Sequence, residues 1–209
     1  MRFCWLLFFV TPLFAVAQPE CSLELDKDSI LVYTCAQANS KYKSVKSIFP
    51  ITSSLSQLAA ALLDIEHYDT WQYKTVSARV LKKVSDREVI YYTEVAAPVL
   101  TDNRDFVIRL TLDPDPMTQG MIVDAVSLPD YIPAVDGVIR VPYSRARWKV
   151  IPIGAHKLSV EYTIDIDLGG SVPPWVVNLV APKAPYETFK ALREKISEYS
   201  GRSVPFISK

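Results

Sequence analysis

Apolar and polar side chains alternate over short runs along most of this chain, and a period of two is the signature of half-buried strands. Glu20 to Leu25 and Ile30 to Thr34 read as a hairpin turning at Asp26-Lys27-Asp28, and Tyr42 to Ile51 reads as a third strand. Thr75 to Val84 and Glu88 to Ala97 form a hairpin around Ser85-Asp86-Arg87. Phe106 to Leu112 and Gly120 to Ser127 form another around Asp113-Pro114-Asp115-Pro116. Leu128 to Asp136 is a loop with Pro129 and Pro133, and Val138 to Pro142, Arg147 to Ile151 and Lys157 to Asp167 complete the strand set. Hairpin after hairpin predicts one antiparallel sheet.

The period changes in two places. Ser53 to Ile65 carries Leu55, Leu58, Ala59, Leu62 and Leu63 on one helical face, with Ser53 or Ser54 as its cap. Near the end, Gly169-Gly170-Ser171 breaks the last strand, and Pro173-Pro174 suits a helix start. Trp175 to Tyr199 then reads as a helix that Pro182 and Pro185 kink or split, with Tyr186, Phe189, Leu192 and Ile196 as its apolar stripe. A sheet of this size needs one face covered, and this terminal helix is the element long enough to do it.

The first residues stand outside this pattern. Arg2, the apolar run Phe3 to Val16 and the Ala15-Val16-Ala17 site form a secretory signal peptide over 1–17, too short to span a bilayer comfortably. The remaining 18–209 suits one domain, exported to the periplasm or beyond. The formal net charge is zero, which argues against a nucleic-acid partner. Once Cys4 leaves with the leader, Cys21 and Cys35 face each other across the first hairpin in a register centred on Asp28. A disulfide is the favoured reading in an oxidising compartment, and two free thiols are the alternative. The only histidines, His67 and His156, lie far from both cysteines along the chain, so no metal site is expected.

Four segments then carry a resemblance. Asp64-Ile65-Glu66-His67-Tyr68-Asp69-Thr70-Trp71 is similar to the helix-to-strand segment of START lipid-transfer domains. Tyr91-Tyr92-Thr93-Glu94-Val95 leading to Asn103-Arg104-Asp105-Phe106-Val107 resembles their central strands. Gly137-Val138-Ile139-Arg140 resembles the segment after their cavity-mouth loop, and Asp165 to Trp175 resembles the last strand and the start of the closing helix. The resemblance implies an α+β helix-grip fold, a curved antiparallel sheet around a long C-terminal helix with an internal apolar cavity. It implies one bound lipid, sterol or other apolar molecule, a carrier or sensor role and transient membrane contact; it implies no catalysis or cofactor, and a monomer is the separate expectation.

Within that frame the expected ligand-binding residues are Glu94, Tyr92, Tyr162, Trp175, Leu179 and Phe189, and the expected gate is Tyr131, Ile132 and Val176. Glu94 is read as an inward carboxylate, against an outward solvated strand residue. Arg104, Asp105 and Trp71 are expected to be structural. Several START domains carry an arginine six positions after the Arg of this motif; here that position is Leu110 and the arginine is Arg109. One residue along a strand reverses the face, so Arg109 points outward unless a bulge re-aims it. Two other readings stay open. One is a cyclase or aromatase of the same broad fold using Glu94, Tyr92, Tyr162 and His156; the other is an interaction module with a filled interior.

Overall fold

Asp28 and Ser29 both take left-handed backbone angles (φ 52° and 56°), the geometry of a two-residue hairpin turn. They join β1 (Cys21–Lys27) to β2 (Ile30–Cys35). The turn thus ends one residue later than the sequence pattern suggests. A register shift between Leu23 and Leu25 absorbs the difference and leaves Cys21 opposite Cys35. The two form a disulfide with an S–S distance of 2.05 Å. This computed structural model describes residues 21–37, 42–97, 101–170, 178 and 181–207. The expected leader, 1–17, lies outside them.

Eight further strands complete the sheet: β3 (Ser44–Ile51), β4 (Thr75–Lys83), β5 (Glu88–Val95), β6 (Asn103–Asp115), β7 (Gly120–Ser127), β8 (Val138–Arg140), β9 (Tyr143–Gly154) and β10 (Lys157–Asp167). The spatial order is β1-β2-β3-β10-β9-β7-β6-β5-β4, so the sheet is open, with β1 and β4 at its edges. All neighbours on this path are antiparallel; β8 lies off it and pairs with β6 in parallel, at Asn103↔Val138 through Asp105↔Arg140. The strands β6 and β9 run well past the predicted Phe106 to Leu112 and Arg147 to Ile151. Their ends carry polar and charged residues, Asn103 to Asp105 and Asp113 to Asp115 on β6 and Tyr143 to Arg145 on β9, and the ladder continues through them. Gly120 is required where β7 meets β9, because a Cβ there would run into the Val150 carbonyl oxygen.

Two helical layers cover parts of the inner face. Helix α1 (Leu55–Leu63) starts at Ser54, whose hydroxyl accepts from the Gln57 N–H at 3.1 Å, and it buries Leu58, Ala59, Ala61 and Leu62. A 3-10 segment, Ile65–Thr70, follows and delivers Tyr68 and Trp71 to the core, their rings edge to face at 4.9 Å. Helix α2 (Lys183–Lys195) begins after Pro182, with Pro185 in its first turn, where a missing N–H costs little. The predicted stripe is buried: Tyr186, Phe189 and Leu192 on α2, then Ile196 on the 3-10 turn that ends it, where Tyr199 is buried as well. Phe189 stacks on Phe49 of β3 at 4.2 Å. Gly169 and Gly170 end the last strand with left-handed angles (φ 63° and 69°) that other residues adopt at a cost.

Helix α2 is also tied to the first hairpin. Tyr186 Oη donates to Asp28 Oδ2 at 2.6 Å, and Arg193 donates to the carbonyls of Asp28, Ser29 and Pro50. Lys27 Nζ lies 5.6 Å from the Tyr186 ring centroid. The helix is held by side chains on its own strand-facing side and by the disulfide-closed hairpin beneath it.

Candidate functional site

Strand pairing fixes which side chains share the inner face, because alternate residues point the same way. On β5 the residues packed into the main core are Val89 and Tyr91, opposite Leu110 and Ile108 of β6. Across the sheet the face continues through Ala125 and Val123 of β7, Ala146 and Trp148 of β9, and Ile164 and Tyr162 of β10. Phe106, Ala125, Tyr162 and Ile164 pack against the core yet remain only partly buried. Among the described residues of β3, β5, β6, β7, β9 and β10, Arg104 is the one charged side chain on this face.

Two of the expected ligand-binding residues meet here. Tyr162 and Phe189 have ring centroids 5.1 Å apart, and Trp148 closes the group at 5.2 Å from Tyr162 and 5.3 Å from Phe189. Burial pushes the Tyr162 phenol well above its ordinary value, and the nearby Tyr91 adds to the effect. Tyr91 is likewise raised by burial and packs edge to face on Tyr68 at 5.5 Å. Trp175, Val176 and Leu179 lie outside the described residues.

Glu94 and Tyr92 are placed elsewhere. They share parity with Ile90 and Glu88, on the face opposite Tyr91. Glu94 accepts from Asn103 Nδ2 at 2.6 Å. Tyr92 belongs to a small outer cluster with Ile90 and Val107, onto which Leu81, Leu128 and Ile132 pack, and Arg79 lies 4.9 Å from its ring centroid. The inward reading of these two side chains is therefore corrected. The sequence shows that Tyr91 and Tyr92 are adjacent and that opposite faces alternate, but five buried residues in a row on β5 hide which face is which. Tyr91 is the inner-face residue that sequence reasoning missed.

The outer face solves a different problem, the support of the loop 128–136. Asp105 is fully buried, and Arg140 grips it with two bonds, Nε to Oδ1 at 2.9 Å and Nη2 to Oδ2 at 3.0 Å. The remaining Arg140 donors reach three loop carbonyls, those of Pro129, Ile132 and Pro133. One planar fork thus pairs a buried carboxylate and fastens the loop. Ile132 is packed down on the Tyr92 cluster, whereas Tyr131 is 44% exposed and Val135 39%. Trp71 is buried against Tyr68 with its indole N–H unpartnered among the described residues. Arg104 is buried on the inner side, where Nη1 donates to the Asp102 carbonyl and Nε is sealed without a partner.

The arginine displaced by one residue faces out: Arg109 pairs with Glu88 at 3.3 Å, and Leu110 is buried on the inner face. The four groups of the cyclase reading do not converge, since Glu94 and Tyr92 are on the outer face, His156 is in the exposed β9–β10 turn and Tyr162 is inside.

The START domain pattern matches residues 22–200. An uncharacterized protein of Pseudomonas aeruginosa is 29% identical over 172 residues, covering 82% of this chain and 84% of that protein. The crystal structure of a STAR-related lipid transfer protein fragment from Xanthomonas axonopodis superposes with a TM-score of 0.79 at 26% identity, covering 85% of this chain and 98% of that one. The fold is also that of the Zhui aromatase/cyclase from Streptomyces, with a TM-score of 0.53 at 13% identity over 76% of this chain and 94% of that one. An open antiparallel sheet, a C-terminal helix seated on its inner face and a family pattern that spans nearly all of both make this chain a member of the START domain family.

Proposed function

We propose that this chain binds one lipid, sterol or other apolar small molecule against the inner face of its sheet, as a carrier or sensor. The observation that carries the reading is the partly buried apolar surface at Phe106, Ala125, Tyr162 and Ile164, beside the buried Leu110, Val123, Trp148 and Val160 of the same face. Sites for such ligands are concave, mostly apolar and served by few polar groups. The similarity to a STAR-related lipid transfer protein supports the same reading. Catalysis has less support, because the candidate acid–base groups are split between two faces and a turn.

The loop 128–136 is the proposed gate, with exposed Tyr131 and Val135 as the side chains that touch a membrane surface. Residues 1–17 are the proposed export signal. The Cys21–Cys35 disulfide suits an oxidising compartment, and no described helix is long and apolar enough to cross a membrane. We treat the protein as a monomer with no cofactor. Native mass spectrometry of protein purified from its own host, followed by lipid extraction, is the direct test. One co-purifying apolar molecule per chain is expected. A chain that carries none, and that takes up none when offered lipid vesicles, overturns the reading.

A further inference from the structure

A cleft of about 330 Å³ opens at the end of the sheet away from the loop 128–136. Its rim is the hairpin turn at Ser29, the chain just past β3 at Thr52, the start of β10 at Lys157 and the last turns of α2 at Arg193. Its floor includes the buried Ile51 and Ile196. The loop follows β7, whose Ser127 hydroxyl accepts from the Ser144 N–H at the start of β9. Ser144 pairs with Ile166, whereas the cleft lies at Lys157, so about 30 Å of β10 separates the two.

Two cations line the cleft and no carboxylate does. Arg193 is half-buried. Its Nε donates to the Pro50 carbonyl at 2.9 Å, its Nη1 to that of Asp28 and its Nη2 to that of Ser29 at 3.4 Å. An arginine has five N–H donors, so each Nη keeps one more to give. Carbonyl partners satisfy donors without cancelling the charge. Burial pushes the guanidinium below its usual value, and Asp28 only opposes this. The Asp28 carboxylate is itself shared, since it accepts from Tyr186 Oη and feels Lys27 and Lys190. The second cation is fixed by strand register. Ile51 pairs with Leu158, and the Ser53 N–H donates to the His156 carbonyl at 3.0 Å, so Thr52 and Lys157 stand opposite each other. Arg193 Nε is bonded to Pro50, two residues from Thr52, which brings the guanidinium within reach of the four-carbon stem of Lys157.

We infer that this cleft binds a small soluble phosphomonoester, its phosphate between Arg193 and Lys157 and its carbon body over Ile51 and Ile196. A phosphomonoester carries a charge of about −1.5 to −2 at neutral pH, which two cations balance; a carboxylate carries only one. Arginine offers phosphate oxygens planar donors, lysine adds a point charge, and the Ser29 and Thr52 hydroxyls supply further donors. A soluble ligand is favoured over a lipid headgroup because the cleft is concave and far from the loop proposed to touch membrane. The site is separate from the inner-face site.

The test is calorimetric titration of the purified protein with glycerol 3-phosphate, at an ionic strength held constant with sodium chloride. One site per chain is expected, and acetate, with a single charge, should bind clearly more weakly. Lys157→Gln removes a cation from an exposed position and should weaken binding about ten-fold or more, the worth of one charge-assisted hydrogen bond. Arg193→Lys keeps the charge, loses the planar fork and should weaken binding as well, while its melting temperature reports whether α2 stays seated. Lys190→Gln removes a cation from α2 outside the cleft and should leave the affinity unchanged. Absence of saturable binding overturns the inference. So does an unaltered affinity in Lys157→Gln, an equal loss in Lys157→Gln and Lys190→Gln, or acetate binding as tightly as glycerol 3-phosphate. Vesicles containing phosphatidic acid are the second probe. Lys157-dependent binding to them without binding of glycerol 3-phosphate assigns the phosphate to a lipid headgroup and overturns the soluble ligand. None of these results touches the inner-face site.

Discussion

At the scale of single residues, the pair Asp105–Arg140 is the most consequential contact outside the apolar core. Removing one partner of a buried ion pair leaves the other uncompensated, and the general cost is about 3–5 kcal/mol. Asp105→Asn is therefore expected to lower unfolding stability by about 3 kcal/mol in urea titrations. The exposed end of Arg140, 12% accessible at its side chain, keeps the loss toward the lower end of the range. The double variant Asp105→Leu/Arg140→Met should regain much of that stability, because no charge is then buried alone. It should still leave the loop 128–136 more susceptible to proteolysis, since the three carbonyls that Arg140 holds lose their donor. An Asp105→Asn variant with wild-type stability would show that Arg140 is solvated in solution. Asp105 was readable as structural from the sequence. The partner was not, because Asp105 and Arg140 are 35 residues apart and meet only through the parallel pairing of β8 with β6.

At the scale of elements, the first hairpin and helix α2 form one mechanical unit. The Cys21–Cys35 bridge spans 14 positions, and closing a loop of that size is worth about 3 kcal/mol through the unfolded chain. Reduction, or a Cys21→Ser/Cys35→Ser variant, should lower the unfolding free energy by about that amount. An unchanged denaturation midpoint on reduction would contradict it. The Tyr186–Asp28 bond adds a pH dependence. Accepting from Tyr186 lowers the Asp28 carboxyl below its usual 3.8, and the same bond raises the Tyr186 phenol above 10.0. A depressed carboxylate contributes stability that is present above its unfolded value and lost as pH falls through the folded one. A raised phenol contributes stability that is present below its unfolded value and lost as pH rises through the folded one. The stability difference between wild type and Tyr186→Phe should thus be greatest between about pH 5 and 9 and shrink at pH 3 and at pH 11. A difference that stays flat over this range would mean that the bond does not persist in solution. The hairpin and the apolar stripe of α2 were legible as periodicity. Their contact was not, since Tyr186 and Asp28 are 158 residues apart.

At the scale of the whole molecule, binding to the folded state alone raises apparent stability by an amount set by ligand concentration over the dissociation constant. Protein stripped of any bound apolar molecule should melt at a lower temperature than protein as purified, and readdition of the extract should restore it. Identical melting before and after stripping would argue for a filled interior. The sequence by itself determined the strand succession, the two helical stripes and the opposition of Cys21 and Cys35, because each depends on local periodicity and turn chemistry. It also placed the boundary motifs, Asn103 to Val107 and Gly169-Gly170, close to where the backbone uses them. The tertiary structure alone decided which face of the sheet is inside. Five consecutive buried residues on β5 erase the alternation that marks a face, because a small outer cluster under the loop 128–136 buries Ile90 and Tyr92 just as the main core buries Val89 and Tyr91. With two apolar surfaces back to back, parity cannot be read from hydropathy. Only the packing of α1 and α2 on one side, and of the loop on the other, makes Tyr91 and Tyr162 the inward hydroxyls and turns Glu94 and Arg109 out.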